Sequence, residues 1–252
     1  MQDSAIALRH LTKRFGQKLA VNDFSLDIPQ GSMFGLVGPN GAGKTTLLSM
    51  LTGILQPDHG EAWVRGVNVW HDPVGAKAVM GVLPDGLRQF DRLTGPELLR
   101  YTGLLRGLTE EEVAERSAGL IRVLGLEEAG NSLIVDYSAG MKKKISLAAA
   151  LIHNPKIVIL DEPFEAVDPV SSATIRKVLA QIVARGGTVV LSSHVMELVE
   201  RLCDHVAVIH RGQLVASGTV AEVAGGESLQ QRFVELVGGE QSGDEESLAW
   251  LQ

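Results

Sequence analysis

Gly38-Pro39-Asn40-Gly41-Ala42-Gly43-Lys44-Thr45 fits the pattern Gly-x-x-x-x-Gly-Lys-Ser/Thr at every fixed position. The chemistry behind that spacing is the binding of a polyphosphate. Glycines let backbone N–H groups converge on phosphate oxygens with no Cβ in the way, and a helix beginning at the lysine turns its positive end toward the same anion. Gly38, Pro39, Asn40, Gly41, Ala42 and Gly43 thus form the cradle. Lys44 answers the charge of the β- and γ-phosphates, Thr45 offers its hydroxyl to Mg2+, and Thr46 belongs to the same turn. The flanks agree. Met33 to Val37 is an apolar run of strand length, and Leu47, Leu48 and Leu51 follow at helical spacing.

Downstream, Ile157-Val158-Ile159-Leu160-Asp161-Glu162 ends a second apolar run in two carboxylates, with Pro163 behind them. Ligands of open parallel sheets sit beyond the carboxyl ends of the strands, so this pair is expected beside the cradle. Asp161 is expected to serve Mg2+, and Glu162 to polarise an attacking water as general base. Asp168-Pro169 has the form of a helix cap followed by proline in the first turn. Ile175, Val178, Leu179, Ile182 and Val183 then share one helical face before Gly186-Gly187 stops it. Thr188 to Leu191 and Val206 to Ile209 read as further strands. Strand, helix, strand in succession predicts a largely parallel sheet with right-handed crossovers.

Upstream of the cradle, Ile6 to Leu8, a turn at Gly16-Gln17 and alternating Phe24, Leu26 and Ile28 read as antiparallel strands, with hairpins expected around Gly60 and Gly66. From Thr94 to Ile152 the pattern is helical. Thr109 to Glu112 has the form of a capping box, and Val113, Leu120, Ile121 and Leu124 make one stripe. The expected fold is α/β: a P-loop NTPase core with a mostly parallel sheet, an N-terminal antiparallel β subdomain, and a helical subdomain inserted at about 94–152. Residues 1–225 are read as one domain and 226–252 as a C-terminal helix and an acidic, glycine-rich tail. In that tail Leu229, Phe233, Leu236 and Val237 form an amphipathic helix. Gly238 to Glu246 reads as a link, and Leu248 to Leu251 is left open between docking on a partner and burial on the core.

Composition narrows the class. The chain has 252 residues, 45% of them hydrophobic, and a formal net charge of −7. Its length suits one large α/β domain. The acidic balance argues against a nucleic-acid-coating surface, and no nucleic acid is expected as partner. Lys142-Lys143-Lys144 is the one basic run, and because consecutive helical residues point in different directions it is expected to be mostly solvated. Seven histidines show no metal-ligand spacing. Cys203, the single cysteine, reads as a small apolar residue. No window of about 20 apolar residues suggests a membrane span, and Met1-Gln2-Asp3 opens no secretory signal, so a cytosolic location is expected.

Between cradle and acidic pair lies Tyr137-Ser138-Ala139-Gly140-Met141. With it, residues 4 to 220 resemble the nucleotide-binding subunits of ABC transporters, in the family's motif order. The family's signature usually reads Leu-Ser-Gly-Gly-Gln. Ser138 and Gly140 match it, while Tyr137, Ala139 and Met141 depart in a form familiar from exporters with separate membrane subunits. The resemblance implies that ATP and Mg2+ are the ligands and that Ser138 and Gly140 contact the γ-phosphate held by a second ATPase subunit, in a homodimer or heterodimer. It implies that Phe15 stacks on adenine, against the alternative of a core phenylalanine. It implies that His194, after Leu191-Ser192-Ser193, contacts the γ-phosphate. Asp168 would meet the dimer partner as well as cap its helix, although Glu165 and Val167 depart from the usual residues before it. Asp85, after Val82-Leu83-Pro84, stands where the family has glutamine or glutamate, and would be a Mg2+ ligand on a shorter stem.

The function so implied is an ATP-hydrolysing subunit powering export through separate transmembrane subunits, from the cytoplasmic face of the cell membrane. Two rivals stay open on the residues: an ABC ATPase acting on ribosomes or DNA, and a weakly active regulatory subunit.

Overall fold

Two long alternating strands open the chain, whose computed structural model describes residues 4–86 and 90–237. β1 (Ser4–Phe15) and β2 (Lys18–Pro29) pair antiparallel, and the Gly16-Gln17 turn between them sets Phe15 opposite Lys18. After β3 (Met33–Val37), α1 (Lys44–Leu51), β4 (His59–Val64) and β5 (Val67–Asn68), the strand order β2-β1-β4-β5 completes a four-stranded antiparallel sheet. The hairpin expected around Gly60 is corrected: Gly60 lies inside β4 and only Gly66 turns the chain. At Gly60 φ is +89°, and a Cβ would lie 2.4 Å from the carbonyl oxygens of Arg9 and His10. The glycine is there for close approach at the register shift between Arg9 and Thr12.

The chain continues through α2 (Pro73–Ala78), β6 (Met80–Leu83), α3 (Gly95–Leu105), α4 (Glu110–Val123), α5 (Ala139–Leu151), β7 (Ile157–Leu160), α6 (Pro169–Ala184), β8 (Thr188–Ser193), α7 (Met196–Leu202), β9 (His205–His210), β10 (Gln213–Thr219), α8 (Val220–Ala224) and α9 (Leu229–Val237). The second sheet has the order β10-β9-β3-β8-β7-β6, parallel from β9 to β6 and antiparallel at the β10 edge. Inner strands β3 and β7 are apolar throughout because both faces are covered. Their alternation sorts two cores. Phe34, Leu36, Ile157, Ile159, Val190 and Ile209 face α1 and the antiparallel sheet. Val37, Val158, Leu160, Leu191 and Val208 face the layer that contains Ile145, Leu147, Ile175 and Val199, from α5, α6 and α7.

Capping decides where the helices start. Thr94 and Thr109 each exchange hydrogen bonds with the glutamate three residues on, Glu97 and Glu112, before α3 and α4. Val113 and Leu124 are buried, with Leu120 and Ile121 packed beside them. In α9, Leu229 is buried and Phe233 packs on the same core. The link expected at Gly238 to Glu246 and the run Leu248 to Leu251 lie outside the described residues.

Candidate functional site

Three strands of the parallel sheet deliver the chemistry at their carboxyl ends. β3 runs into the cradle, β7 into Asp161 and Glu162, and β8 into His194. Gly43 stands at φ +111° immediately before α1, and a Cβ there would lie 2.6 Å from the Ala20 carbonyl oxygen. No side chain caps α1, so its first turn presents N–H groups to the loop. Lys44 is buried, and its Nζ donates to the carbonyl oxygens of Gly38 (2.8 Å) and Pro39 (3.3 Å). The Ala42 N–H donates to Pro39 O at 3.1 Å, and Ala42 O accepts from Gly212 N at 2.8 Å, which ties the loop to the β9–β10 turn.

A cleft of about 400 Å3 opens over this loop. Phe15, Asn40, Gly41, Gly43, Lys44, Thr45 and Thr46 line it together with Asp85, Glu162 and His194. Phe15 is 49% exposed at its edge, so it is not a core phenylalanine. Lys13 Nζ lies 5.9 Å from its ring centroid. Lys18, Ala20 and Glu165 also line the cleft, and nothing in their spacing marks them for it.

Glu162 is the centre of the polar network. Its Oε1 lies 3.4 Å from Lys44 Nζ and its Oε2 lies 3.1 Å from His194 Nδ1. Its backbone sits at φ +47°, an uncommon region for a residue with a Cβ, and is held from both sides. The N–H donates to Ser192 Oγ at 2.9 Å, and the carbonyl accepts from Lys143 Nζ at 2.8 Å. Ser192 Oγ in turn donates to Asp161 Oδ1 at 2.5 Å, and Asp161 N donates to Leu83 O at 2.8 Å. Ser192 went unremarked in the sequence, although it belongs to the Leu191-Ser192-Ser193-His194 run that marks the histidine.

Thr45, Asp85 and Asp161 line a second, smaller cavity. A hydroxyl with one or two carboxylates is the hard-oxygen set that Mg2+ takes when substrate phosphates complete its shell, so these residues fit that ion. Asp85 also lies 3.8 Å from Lys143 Nζ.

The expected solvation of Lys142 to Lys144 is corrected. Lys144 is buried, Lys142 Nζ donates to Val135 O at 3.0 Å, and Lys143 is engaged as above. The run lies on α5, whose first turns pack against both the core and the loop after β7, so phase alone did not leave it in water.

Ser138 and Gly140 do not line the cleft. Ser138 caps α5, its Oγ accepting from Met141 N at 3.2 Å, and its end of the helix is exposed. Gly140 packs so closely on the start of α6 that a Cβ would lie 2.7 Å from Asp168 Oδ2 and Ser171 Oγ. Asp168 caps α6 by accepting from Val170 N (3.0 Å) and Ser171 N (2.9 Å). The Ser171 hydroxyl and N–H hold its carboxyl below the usual range. Tyr137 is buried, and its hydroxyl accepts from Gly95 N–H at the start of α3. Burial raises its pKa, and that hydrogen bond opposes the rise.

A phosphate loop at β3, an acidic pair at the end of β7 and a histidine after β8 define a P-loop ATPase. The family model described as ABC transporter matches residues 21–165. The chain is 36% identical over 228 residues to the linearmycin resistance ATP-binding protein LnrL of Bacillus subtilis (strain 168), covering 89% of this chain and 73% of that protein. It is also 36% identical over 248 residues to the Nod factor export ATP-binding protein I of Rhizobium sp. (strain N33), covering 95% and 78%. A solved ATP-binding subunit of an ABC transporter superposes with a TM-score of 0.86 at 28% identity, over 92% of this chain and 99% of that one. The chain belongs to the ABC transporter family, as one of its ATP-binding, ATP-hydrolysing subunits.

Proposed function

We propose that this chain powers export through separate transmembrane subunits, hydrolysing MgATP in the cleft above α1. The observation that carries the reading is the Glu162 carboxylate, held between Lys44 and His194 within one cleft. Export rests on the relatives: one is named for linearmycin resistance and another for Nod factor export.

Each residue has a task. The loop from Gly38 to Gly43, with Thr46, places backbone dipoles around the triphosphate, and Lys44 turns from the carbonyls of Gly38 and Pro39 to the β- and γ-phosphates. Phe15 offers its exposed ring to the adenine. Thr45 and Asp161, with Asp85 beside them, would hold Mg2+, which would supply positive charge against the phosphates. Glu162, released from Lys44 when phosphate arrives, orients water and takes its proton, and His194 steadies that carboxylate and the γ-phosphate. Ser138 and Gly140 present the start of α5 to the nucleotide of a second ATPase subunit, and Asp168 lines the same junction.

Two cassettes therefore close head to tail on two ATP molecules. Residues 1–225 act as the ATPase domain, and the lobe at 94–152 passes closure to the membrane subunits through the segment from Asp85 to Arg106. Among the described residues no helix is long and apolar enough to cross a membrane, and the reading puts the chain on the cytoplasmic face through its partners. Glu162→Gln tests it. Purified variant is expected to bind ATP, lose turnover by about 100-fold or more and run as a dimer on size exclusion with MgATP. Undiminished turnover would sink the role of Glu162.

A further inference from the structure

Lys143 touches both the Glu162 backbone and the Asp85 carboxylate without belonging to the site's sequence motifs. It lies on α5, three residues after Gly140, and is only 19% exposed. Its Nζ donates to the Glu162 carbonyl at 2.8 Å and lies 3.8 Å from Asp85 Oδ1. Glu162 sits in the left-handed region at φ +47°, a conformation that persists only where the surroundings impose it. Ser192 Oγ holds one side of that residue and Lys143 Nζ the other. Asp85 adds a carboxylate to the margin of the same cleft, and Lys143 is the cation facing it.

We infer that Lys143 is a positioning residue for hydrolysis: it clamps the Glu162 peptide and the Asp85 carboxylate to α5. The inference rests on the ATPase reading above and adds a connection to it. The exposed cap of α5, Ser138, serves the neighbouring subunit's nucleotide, whereas Lys143, little more than one turn along the same rigid helix, fixes the base of its own subunit's site. Movement of α5 as one nucleotide is sealed thus reaches Glu162 in the other site through a single ammonium group. Asp85 suits this arrangement better than the glutamine of the resemblance, because a carboxylate gives the lysine a charged partner and an amide does not.

The test compares Lys143→Met, which keeps the long stem and removes the donors, with Lys143→Arg and Asp85→Asn in the full chain. Misplacing a base by about 1 Å costs on the order of 100-fold. Lys143→Met is therefore expected to lower kcat about 10- to 100-fold while KM and the Kd for a fluorescent ATP analogue stay within about twofold, the signature of a transition-state effect. Lys143→Arg, which restores the donors and the charge, is expected to recover most of the loss. Asp85→Asn combined with Lys143→Met is expected to be less impaired than the two single losses multiplied together, because the uncompensated carboxylate is gone.

Wild-type kcat in Lys143→Met overturns the inference. Equal losses of kcat and nucleotide affinity, or no recovery with arginine, assign Lys143 a purely structural role and overturn it as well. Lys143→Gln, read the same way, replaces the methionine variant if that one precipitates. Failure of the wild-type chain itself to bind the ATP analogue strikes the ATPase reading instead, and the two failures are told apart by that control.

Discussion

Ser192 shows how much of the site hangs on one hydroxyl. It is fully buried, it donates to Asp161 Oδ1, and it accepts from the Glu162 N–H. Alanine would leave a buried carboxylate oxygen and a buried N–H each short of a partner, so Ser192→Ala is expected to cost about 1–3 kcal/mol of stability. Because the lost bond positions Glu162, kcat should fall more than KM rises. Urea unfolding and steady-state kinetics on one preparation check both halves, and equal effects on kcat and KM would contradict the positioning role. At this scale the sequence was readable wherever function demands a fixed spacing. The loop and helix start at Gly38 to Thr45 could be read directly because a glycine turn that opens a helix is a local, backbone-level feature. Ser192 and Lys143 could not, because their roles arise only when β8 and α5 are brought against β7, and a serine or lysine in such a run is ordinary as sequence.

Helix starts were readable where a cap and its glutamate stand three apart, as at Thr109 and Glu112, and the boxes at Thr94 and Thr219 follow the same rule unremarked. Gly60 was misread because a glycine within a strand and a glycine in a turn look alike until the neighbouring strand is in place. At the far end of α5, His153 carries a prediction of its own. Its Nε2 meets Met80 O at 2.9 Å, joining the end of the helix to β6, while its Nδ1 is buried without a partner. Burial, aided by the nearby Arg106 and Arg116, holds its pKa down at about 4, against an ordinary value of 6.5. The unfolded chain therefore takes up this proton first as pH falls. The stability tied to neutral His153 is complete above pH 6.5 and drains away between about 6.5 and 4. Thermal melts across that window should show a steeper decline in Tm for wild type than for His153→Gln, and parallel curves would remove His153 as the cause.

The whole molecule joins two sheets around the nucleotide, and this makes ligand binding a test of architecture. Phe15 and Ala20 come from the antiparallel sheet, Glu162 and His194 from the ends of the parallel one, and the Asn22 N–H of β2 donates to Gly212 O of the β9–β10 turn at their junction. A ligand that bridges them binds the folded chain and not the unfolded one, so at ATP about 100 times its Kd it should add about 2.7 kcal/mol. For a chain of this size that raises Tm by about 5–10 °C. Lys44→Ala should lose the shift, because a buried ammonium aimed at the loop is its main charge contact. EDTA should reduce it, since Thr45, Asp85 and Asp161 gather hard oxygens in one small cavity, the set proposed to hold Mg2+. The decisive variable is protein concentration. If each nucleotide is held by one chain alone, Tm depends on ATP and not on how much protein is present. If Ser138 at the exposed end of α5 closes the site of a second subunit, folding and association are linked by mass action. Glu162→Gln with MgATP should then melt higher after a tenfold increase in protein, whereas nucleotide-free protein should not. A melting point that ignores concentration in that variant would show that α5 serves only its own chain.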